Sequence, residues 1–345
     1  MLDILEQPMA KPSAGADRAA ELFRGFLASK ACFTALDLGV FEALDERPLS
    51  TDALAARLET HPIATERLCA ALCALELLDM VAGRYGNTPL TSRYLVERSP
   101  DYLGGIATLY SLDTYPACQY LDTAVREGPG WRRRAPQDAM LDTVLADGAR
   151  VQRLAGAMQR SSQCAAAALL EAYDVGAHDG LVEVGGTAEL CIAAAQRYPH
   201  LRCAFFDLPY SCGNAERAIA EAGLAGRVTI WPGDMFARFA IPRAGDLIVL
   251  GQILHVWDDD RALAIVRNCA EALPPGGTLL IREQLLDADG CGPVGPALQN
   301  LAMLLLDSGR ERSARDYLDL IMDAGLQPAG VLATNGPFGL VIGRK

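Results

Sequence analysis

Polar positions at the ends of three predicted strands form the clearest chemical pattern in this chain. The apolar run Leu181–Val184 leads into Gly185-Gly186, a turn whose backbone N–H groups can meet a ligand carboxylate or phosphate. Asp207 ends the next run, where a carboxylate can accept hydrogen bonds from both hydroxyls of a ribose. Asp234 ends the third and precedes Met235-Phe236, which suit an adenine ring. Together they predict a site for a nucleoside-containing cofactor.

Two alternatives accompany this interpretation. Glycines at strand ends are also ordinary turn residues, so Gly185-Gly186 alone would not identify a site. A dinucleotide-dependent dehydrogenase is the rival enzyme class, but its G-x-G-x-x-G pattern is absent after this strand.

Strands and helices must alternate to position these residues. Apolar runs predict strands at Gly180–Val184, Arg202–Asp207, Val228–Pro232, Asp246–Leu250, Thr278–Glu283 and Phe338–Ile342. Amphipathic segments predict helices at Ala188–Tyr198, Asn214–Ala222, Asp259–Leu273 and Ser313–Ala324. This order predicts an α/β domain with a largely parallel sheet, whose chemistry lies at the carboxyl ends of the strands.

The first hundred residues have a different pattern, in which three helices precede a hairpin. Apolar residues recur at helical spacing around Gly39, and the segment 48–52 predicts a helix start before Ala53–Leu58. A further helix is expected over Ile63–Leu78, and a hairpin over Asp79–Thr88 with Gly83 and Gly86-Asn87 in turns. This is the order of a winged helix.

DNA binding is disfavoured for this winged helix. The helix Ile63–Leu78 carries Glu66 and Glu76 against Arg67, and its many Leu, Ala and Cys residues predict burial. We therefore expect the domain to dimerise and to cover the substrate.

The segment 101–173 is predicted to be mostly helical. Its tyrosines Tyr102, Tyr110, Tyr115 and Tyr120 either line a pocket or pack in a core, and packing is favoured.

Composition limits the class of protein. A chain of 345 residues favours two domains, and a net charge of −12 disfavours nucleic-acid partners.

No apolar run reaches the length of a membrane span, and residues 1–16 do not resemble a secretion signal. We therefore expect a cytoplasmic protein whose ten scattered cysteines are buried reduced thiols. No His, Asp or Glu cluster has metal-ligand spacing, so no metal is expected.

At this point the chain resembles the small-molecule O-methyltransferase family, which includes caffeate-type enzymes of plants, hydroxyindole-type enzymes and many bacterial natural-product methyltransferases. The stretches that carry the resemblance are Val182–Gly186, Phe206–Pro209, Gly233–Phe236, Leu254–Asp259, Leu273–Gly277, Gly309–Ser313 and the N-terminal region from Arg24 to Phe41. The resemblance implies a Rossmann-like class I methyltransferase domain preceded by a helical, winged-helix-like dimerisation domain. It also implies S-adenosylmethionine as cofactor and a homodimer formed through the N-terminal domain.

The resemblance suggests a division of the chain. We expect a flexible segment at 1–16, the dimerisation domain at 17–100, a helical connector lining the substrate pocket at 101–175, and the catalytic domain at 176–345.

The resemblance also implies roles for individual residues. His255 is the expected base that deprotonates the acceptor hydroxyl, flanked by Glu283 and Glu311, and imidazole titrates in the range such a base requires. The expected cofactor-binding residues are Glu183, Gly185, Gly186, Asp207, Leu208, Asp234, Met235, Phe236 and Gln252. The expected substrate-binding residues are Met303, Asp307 and Trp257. The alternatives are that His255 only packs beside Trp257, that the two acids are merely exposed, and that Met303 belongs to the core.

The glycine turn departs from the family pattern. Thr187, Ala188 and Glu189 stand where the family has a third glycine, a threonine and a glycine, so cofactor binding is expected to be weakened or rearranged. Glu189 would compete for the positive end of the helix, and Val256 replaces the Asp or Asn that commonly follows the histidine.

These departures leave two enzymatic functions open, beside a pure binding protein on the same fold. The sequence predicts methyl transfer to a hydroxyl of a small aromatic or polyketide-like acceptor. The alternative is a repurposed enzyme of the same fold that performs hydroxylation, decarboxylation or a pericyclic rearrangement.

Overall fold

The computed structural model describes residues 14–99, 101–131, 148–306 and 308–345. The chain divides into two compact units, residues 1–107 and 108–345. Most of the expected flexible segment 1–16 lies outside the described residues, and the first described helix begins at Ala14. The finer boundaries expected at 100/101 and 175/176 remain predictions.

The first unit contains helices followed by a hairpin, in the order that the sequence predicts. Its elements are α1 (Ala14–Leu38), α2 (Val40–Ala43), α3 (Thr51–Leu58), α4 (Pro62–Ala74), β1 (Leu78–Val81), β2 (Arg84–Asn87) and α5 (Pro89–Tyr94). A further helix, α6 (Gly104–Leu109), contains the point of division.

Local signals set the boundaries in this unit. Gly39 has φ 73° between α1 and α2, a conformation that glycine adopts without steric penalty. The Ser50 side chain caps α3 by accepting a hydrogen bond from the Ala53 N–H. Ala82 and Gly83 both have positive φ between β1 and β2, which matches the twist of a tight hairpin.

Two predictions for the end of this unit were wrong. Gly86 and Asn87 lie within β2 and not in a turn, because they pair with Asp79 and Leu78 across the hairpin. The helix predicted to reach Leu78 ends at Ala74, since the chain turns at Glu76 with φ 59° to enter β1.

The helices of this unit also expose more apolar surface than expected. α4 buries only Thr65, Cys69 and Leu72, and Ile63 at its start is 56% exposed, so the predicted burial of the whole helix is wrong for the single chain. α1 has a contiguous group of residues that are each more than half exposed: Leu22, Phe23, Phe26 and Leu27. We call these four residues the α1 apolar cluster.

The second unit is an α/β domain. Its helices are α7 (Tyr115–Ala117), α8 (Leu121–Glu127), α9 (Gly148–Ala172), α10 (Glu189–Arg197), α11 (Pro209–Glu221), α12 (Asp259–Ala272), α13 (Val294–Leu306) and α14 (Ala314–Asp323). Its strands are β3 (Gly180–Val184), β4 (Arg202–Asp207), β5 (Val228–Pro232), β6 (Leu247–Gly251), β7 (Thr278–Glu283), β8 (Leu285–Leu286), β9 (Arg312–Ser313), β10 (Gln327–Ala333) and β11 (Gly339–Arg344). Short turns of other helix types are Tyr110–Thr114, Cys118–Tyr120, Val175–Ala177 and Leu254–Val256.

Seven strands form the main sheet in the order β10-β11-β7-β6-β3-β4-β5. β3 to β7 run parallel, while β11 is antiparallel to β7 and β10 is antiparallel to β11. The chain order reverses between β3 and β6, and the crevice at such a reversal is where open α/β sheets bind ligands. The predicted α/β class with a largely parallel sheet is confirmed.

Strand boundaries agree with the sequence in most places. β3, β4, β5 and β7 have the predicted bounds. β6 begins one residue late because the Asp246 carboxylate binds the Gly180 N–H and His178, and the final strand runs over Gly339–Arg344 and not Phe338–Ile342. The edge strand β10 was not predicted, because every one of its residues is exposed and shows no apolar alternation.

Apolar side chains pack on both faces of this sheet. One core joins the sheet to α9, α10 and α11, and the other joins it to α12 and α14. The ten cysteines all lie in the described residues, and none of them forms a disulfide bond. Five are buried, but Cys32, Cys73 and Cys164 are half-buried and Cys118 and Cys291 are exposed, so the expectation of burial is wrong for the two exposed residues and met only in part by the three half-buried ones. Among the described residues, no helix combines the length and the apolar character that spanning a membrane demands.

Candidate active site

The glycine turn after β3 begins the site. Gly185 and Gly186 have φ of 76° and 102°, which favour glycine. A Cβ at Gly185 would lie 2.5 Å from Ile253 Cδ1 and 3.5 Å from Met235 Cε. The turn therefore lies directly against two other loops at the carboxyl ends of the strands.

The departures from the family glycine pattern have a structural explanation here. Ala188 is buried and has a left-handed backbone conformation, with φ 65°. A glycine would adopt this conformation without steric strain, whereas the Cβ of alanine makes it unfavourable. Glu189 is also buried, and its carboxylate accepts a hydrogen bond from Gln159 Nε2 at 2.8 Å. Glu189 is thus bound to a side chain of α9, which argues against the expected competition with a ligand for the end of α10.

Asp207 and Leu208 follow at the end of β4. Asp207 Oδ1 accepts a hydrogen bond from the Leu208 N–H at 2.6 Å. Burial raises the pKa of Asp207, and the hydrogen bonds from the Leu208 and Gly186 N–H groups oppose that rise. The carboxylate therefore lies beside the glycine turn.

Asp234, Met235 and Phe236 form the neighbouring loop. Asp234 Oδ1 accepts a hydrogen bond from the Phe236 N–H at 2.9 Å, and Asn268 Nδ2 donates to the Met235 carbonyl at 2.8 Å. These bonds fix the loop while Asp234 stays exposed and the two apolar side chains stay half-buried.

Glu183 lies in β3, and Gln252 directly follows β6. Glu183 Oε2 accepts a hydrogen bond from the Cys191 N–H at 2.9 Å, which ties β3 to the first turn of α10. Burial raises the pKa of Glu183 to about 7. Gln252 has φ 57° just after β6, and its N–H donates to the Arg282 carbonyl at 2.9 Å.

These residues fit S-adenosylmethionine. Two buried polar atoms, Thr187 Oγ1 and Arg282 Nε, have no hydrogen-bond partner in the described structure, and both residues line a cavity of about 20 Å³ together with Gly186 of the glycine turn. Such atoms are suited to the polar end of a ligand. Asp207 and Asp234 supply acceptors for hydroxyl groups, and Met235 and Phe236 supply apolar surface for a ring.

His255 and Glu283 are joined by a hydrogen bond. His255 Nδ1 lies 2.7 Å from Glu283 Oε2, while Glu283 Oε1 accepts from the Ile253 and Leu254 N–H groups at 2.9 and 2.8 Å. Because an ionised carboxylate only accepts, Nδ1 carries a proton, and in the neutral form of the ring Nε2 has the lone pair. This is the tautomer that a base acting through Nε2 requires.

The charge environment of His255 favours its protonated form. Burial lowers the pKa of the imidazole, but the carboxylates of Glu283 and Glu311 together outweigh burial, and the net effect is a raised pKa. Arg312 opposes that rise. A base with such neighbours can hold a proton once it has taken one.

Glu311 completes this group. Its Oε2 is buried without a hydrogen-bond partner, and burial raises its pKa to about 7, with His255 opposing the rise. The Glu311 N–H donates to Asn300 Oδ1 at 3.0 Å, which ties it to α13. His255, Glu283 and Glu311 therefore form one cluster, and neither acid is merely exposed.

This cluster was not anticipated as a possible metal site, because its residues are far apart in the sequence. One ligand atom from each of the three residues lies within 4.8 Å of the others. However, His255 Nδ1 and both Glu283 oxygens already take part in hydrogen bonds. A metal ion at this cluster would have to displace these bonds.

Arg312 and Gly309 position the turn that contains His255, although the sequence alone indicated no role for either residue. The fully buried Arg312 guanidinium donates to the carbonyls of Leu254 and Trp257 at 2.9 and 2.8 Å and to Asp259. A Cβ at Gly309 would overlap the backbone of His255. The signal for both lay in the motif Gly309–Ser313, of which only Glu311 was assigned a role.

The expected substrate-binding residues have different surroundings. Trp257 packs edge-on against Phe236, with ring centroids 4.9 Å apart, and Met303 is buried in α13. Asp307 lies outside the described residues. Trp257 therefore lies beside the loop that contains Asp234, Met235 and Phe236, and the substrate-binding roles of Trp257 and Met303 remain predictions.

Two of the tyrosines of the helical segment have packing or hydrogen-bonding partners. Tyr110 donates from its hydroxyl to Gln299 Oε1 at 2.5 Å, and the Tyr120 ring lies 5.9 Å from the Trp131 ring. Tyr110 is half-buried and Tyr120 is 45% exposed, so neither lies in a core, and the choice between a packing and a pocket-lining role stays open.

Two family descriptions match this chain. Residues 119–327 match the O-methyltransferase domain, and residues 20–97 match the O-methyltransferase dimerisation domain.

Individual relatives align over almost the full length. The 3-hydroxy-5-methyl-1-naphthoate 3-O-methyltransferase of Streptomyces sahachiroi is 33% identical over 94% of this chain and 94% of its own. The acetylserotonin O-methyltransferase of Gallus gallus is 35% identical over 93% of this chain and 95% of its own. The crystal structure of human N-acetylserotonin methyltransferase in complex with S-adenosylmethionine superposes with a TM-score of 0.86 at 27% identity, covering 98% of this chain and 99% of that one.

Proposed function

Because this chain belongs to the family of S-adenosylmethionine-dependent O-methyltransferases, we propose that it methylates a hydroxyl group of a small aromatic or polyketide-like natural product, with His255 as the general base. The observation that carries the proposal is the 2.7 Å hydrogen bond between His255 and Glu283 at the carboxyl end of the sheet. The three relatives described above are all named methyltransferases, so non-methylating chemistry has no support among them.

The cofactor-binding roles follow from the geometry of the strand ends. Asp207, beside the glycine turn, would accept hydrogen bonds from the ribose hydroxyls. Met235 and Phe236 would contact the adenine, with Asp234 at its polar edge. When bound, S-adenosylmethionine supplies an electrophilic methyl group on a sulfonium sulfur.

His255 would remove the proton of the acceptor hydroxyl at Nε2. Glu283 holds the ring through Nδ1 and stabilises the imidazolium that results, and Glu311 adds a second carboxylate to that stabilisation. The deprotonated oxygen is then the nucleophile, and the protein's remaining task is to hold it in line with the methyl group.

The acceptor class is inferred from the relatives and the site. The named acceptors of two relatives, 3-hydroxy-5-methyl-1-naphthoate and acetylserotonin, are both aromatic. Trp257, two residues after His255, offers aromatic surface and packs edge-on against Phe236. A flat hydroxylated ring is therefore the acceptor that these observations favour.

Replacement of the base tests the mechanism. We expect His255→Ala to lower kcat by about 10² to 10⁴-fold, the usual contribution of a general base. The dissociation constant for S-adenosylhomocysteine should stay nearly unchanged, because His255 does not belong to the proposed cofactor site. Transfer of an isotopically labelled methyl group to hydroxynaphthoates measures the first quantity, and calorimetric titration measures the second.

The control is His61→Ala, which removes an exposed histidine of the first unit. This variant should retain full activity. Undiminished turnover of His255→Ala would refute the assignment of the base, whereas absence of methyl transfer by the unaltered protein to every hydroxylated aromatic tested would refute the acceptor class.

We further propose that two copies associate through the N-terminal unit. The dimerisation-domain match covers residues 20–97, and the α1 apolar cluster lies within that range.

A further inference from the structure

A tyrosine of the helical segment before α7 is joined to α13 by one short hydrogen bond. The Tyr110 hydroxyl donates to Gln299 Oε1 at 2.5 Å. Tyr110 begins a turn of π-helix, Tyr110–Thr114, that packs against α13. Single π-helical turns are rare and are frequently found at functional sites. This turn directs a hydroxyl group to one end of the Gln299 amide.

The other end of the Gln299 amide is open. Its Nε2 group carries two N–H donors, and these donate to no acceptor among the described residues, whereas Oε1 is bound by Tyr110. Because the hydroxyl donates to the oxygen, it fixes which way round the amide lies. Gln299 is half-buried, so a ligand can reach the open donors.

Two further residues of α13 connect Gln299 to the cluster of the proposed base. Asn300, the next residue, accepts a hydrogen bond at Oδ1 from the Glu311 N–H at 3.0 Å, and Glu311 is clustered with His255. Met303, a predicted contact of the acceptor, follows Gln299 by four residues and therefore lies on the same face of the helix. The open amide end is thus near the residues proposed to contact the acceptor.

The charges around this pair disfavour an anionic group. Burial raises the pKa of the Tyr110 hydroxyl, and the negative charge of Glu311 raises it further, so the hydroxyl keeps its proton and remains a donor to Gln299. Arg312, the cation beside Glu311, is fully buried and donates to two backbone carbonyls and to Asp259. A carboxylate at this position would be repelled by Glu311, whereas a neutral carbonyl group would accept from the amide without that cost.

We propose that Gln299, oriented by Tyr110, donates a hydrogen bond to a neutral carbonyl oxygen of the acceptor, such as that of an amide, a ketone or a quinone. Gln299 is then a specificity-determining residue, and Tyr110 is a positioning residue that acts through it. The inference rests on the proposed function, because it names the group that accompanies the methylated hydroxyl on the aromatic acceptor. It narrows the acceptor class to hydroxylated rings that carry a neutral carbonyl group.

The unaltered protein provides the first test. Transfer of a labelled methyl group would be measured with 2-naphthol, with the 1-, 3- and 6-hydroxy isomers of 2-naphthamide, and with the corresponding hydroxynaphthoates. The isomers place the carbonyl oxygen in different directions from the hydroxyl. For at least one amide, kcat/KM should exceed that of 2-naphthol and of the matching naphthoate by about 5- to 50-fold, as expected for a hydrogen bond to a donor that is otherwise unsatisfied. Absence of any such amide, or a preference for the naphthoates, would overturn the proposal.

Two substitutions assign this preference to the pair. Gln299→Leu removes the donors at similar side-chain size, so the amide-to-naphthol ratio of kcat/KM should fall about 5- to 50-fold, through a higher KM for the amide. Tyr110→Phe leaves the amide in place but no longer orients it, and it should lower the same ratio by a smaller factor. Combining the two should lower the ratio no further than Gln299→Leu alone, because Tyr110 acts through Gln299.

Matched controls use a glutamine and a tyrosine outside the pair. Gln196→Leu changes an exposed glutamine of α10, and Tyr120→Phe removes the hydroxyl of a tyrosine that is 45% exposed. Both variants should keep the amide-to-naphthol ratio of the unaltered protein.

The outcomes separate this inference from the proposed function. An unchanged ratio in Gln299→Leu, or an equal loss of activity on 2-naphthol and on the amide, would overturn the role of Gln299 while leaving the proposed function intact. Additive losses in the double variant would overturn the positioning role of Tyr110. Absence of methyl transfer by the unaltered protein to every one of these compounds would overturn the proposed acceptor class as well.

Discussion

At the scale of single residues, the candidate site contains three ionisable groups, His255, Glu283 and Glu311, whose charges affect one another. Glu283 is fixed by two backbone N–H groups and holds His255, whereas Glu311 has a buried oxygen with no partner and a pKa raised by burial to about 7. Glu283 therefore orients the ring, while Glu311 adjusts the ease with which the ring keeps a proton.

This arrangement predicts a pH dependence. A base must be unprotonated to act, so kcat/KM should rise with pH through the pKa of His255, which its two carboxylate neighbours raise. Glu311→Gln removes one of those negative charges. The pKa of His255 should then fall, and the acidic limb of the kcat/KM profile should move to lower pH.

The comparison is Glu216→Gln, which changes an exposed acid on α11 and should leave the limb in place. A limb that stays put in Glu311→Gln, or moves to higher pH, would contradict the electrostatic role of Glu311.

The sequence predicted the composition of this cluster but not its supports. His255, Glu283 and Glu311 came from motif resemblance, and their roles remain predictions although the structure brings them together. Arg282 and Arg312 were not identified, because an arginine in a sequence is normally exposed and only tertiary packing decides its burial. The same limit explains why the binding of Glu189 to Gln159 was not foreseen.

At the scale of elements, Arg312 joins the turn that contains the proposed base His255 to the segment that contains Glu311. From β9 it reaches the carbonyls on either side of His255, at Leu254 and Trp257, and its neighbour along the chain is Glu311. The distance between the His255 imidazole and the Glu311 carboxylate therefore depends on one fully buried side chain, that of Arg312.

Arg312→Met should consequently damage both stability and catalysis. The buried carbonyls of Leu254 and Trp257 would lose the donor Arg312, while Asp259 would keep Arg310, and each buried acceptor left without a donor destabilises a protein by about 1–3 kcal/mol. Chemical denaturation measures that loss, and steady-state kinetics should show a larger fall in kcat than in the affinity for S-adenosylhomocysteine.

The matched control is Arg315→Met, an exposed arginine three residues further on with a surface partner in Asp319. Its stability should hardly change. If Arg312→Met were as stable and as active as this control, the hydrogen bonds of Arg312 to the Leu254 and Trp257 carbonyls would contribute neither to stability nor to catalysis.

Elements with a clear apolar period were predictable, and the others were not. β3, β4, β5 and β7 were located to the residue because each is an apolar run bounded by turn residues. β10 was not predicted because Pro328 and Gly330 are residues typical of turns and because none of its side chains is buried. α11 begins at Pro209, earlier than predicted, because proline is favoured in the first turn of a helix.

At the scale of the whole molecule, the α1 apolar cluster has the character of an interface. Phe23 and Phe26 are 78% and 58% exposed, and contiguous exposed apolar residues of this size indicate a surface for association. We expect Phe23→Asp combined with Phe26→Asp to convert a dimer into a monomer, because a desolvated carboxylate without a partner opposes association.

Light scattering coupled to size-exclusion chromatography would measure the mass of the variant. Phe239→Asp, which changes an exposed aromatic residue of the second unit, should leave the mass unchanged. A monomeric mass for the unaltered protein would refute the dimer itself.

The two ends of the seven-stranded sheet bear on how copies of this chain can meet. Gly233 donates its N–H to Asp207 in the neighbouring strand, so the nitrogen of Pro232 one residue earlier is directed at the open edge and has no hydrogen to offer. At the opposite edge, β10 has Pro328 and an irregular register between Pro328 and Gly330. Neither edge presents an unbroken row of donors, so continuation of the sheet into a second molecule is disfavoured at both. Self-association is thereby directed towards side-chain surfaces such as α1, and away from the open-ended strand pairing that leads to aggregation.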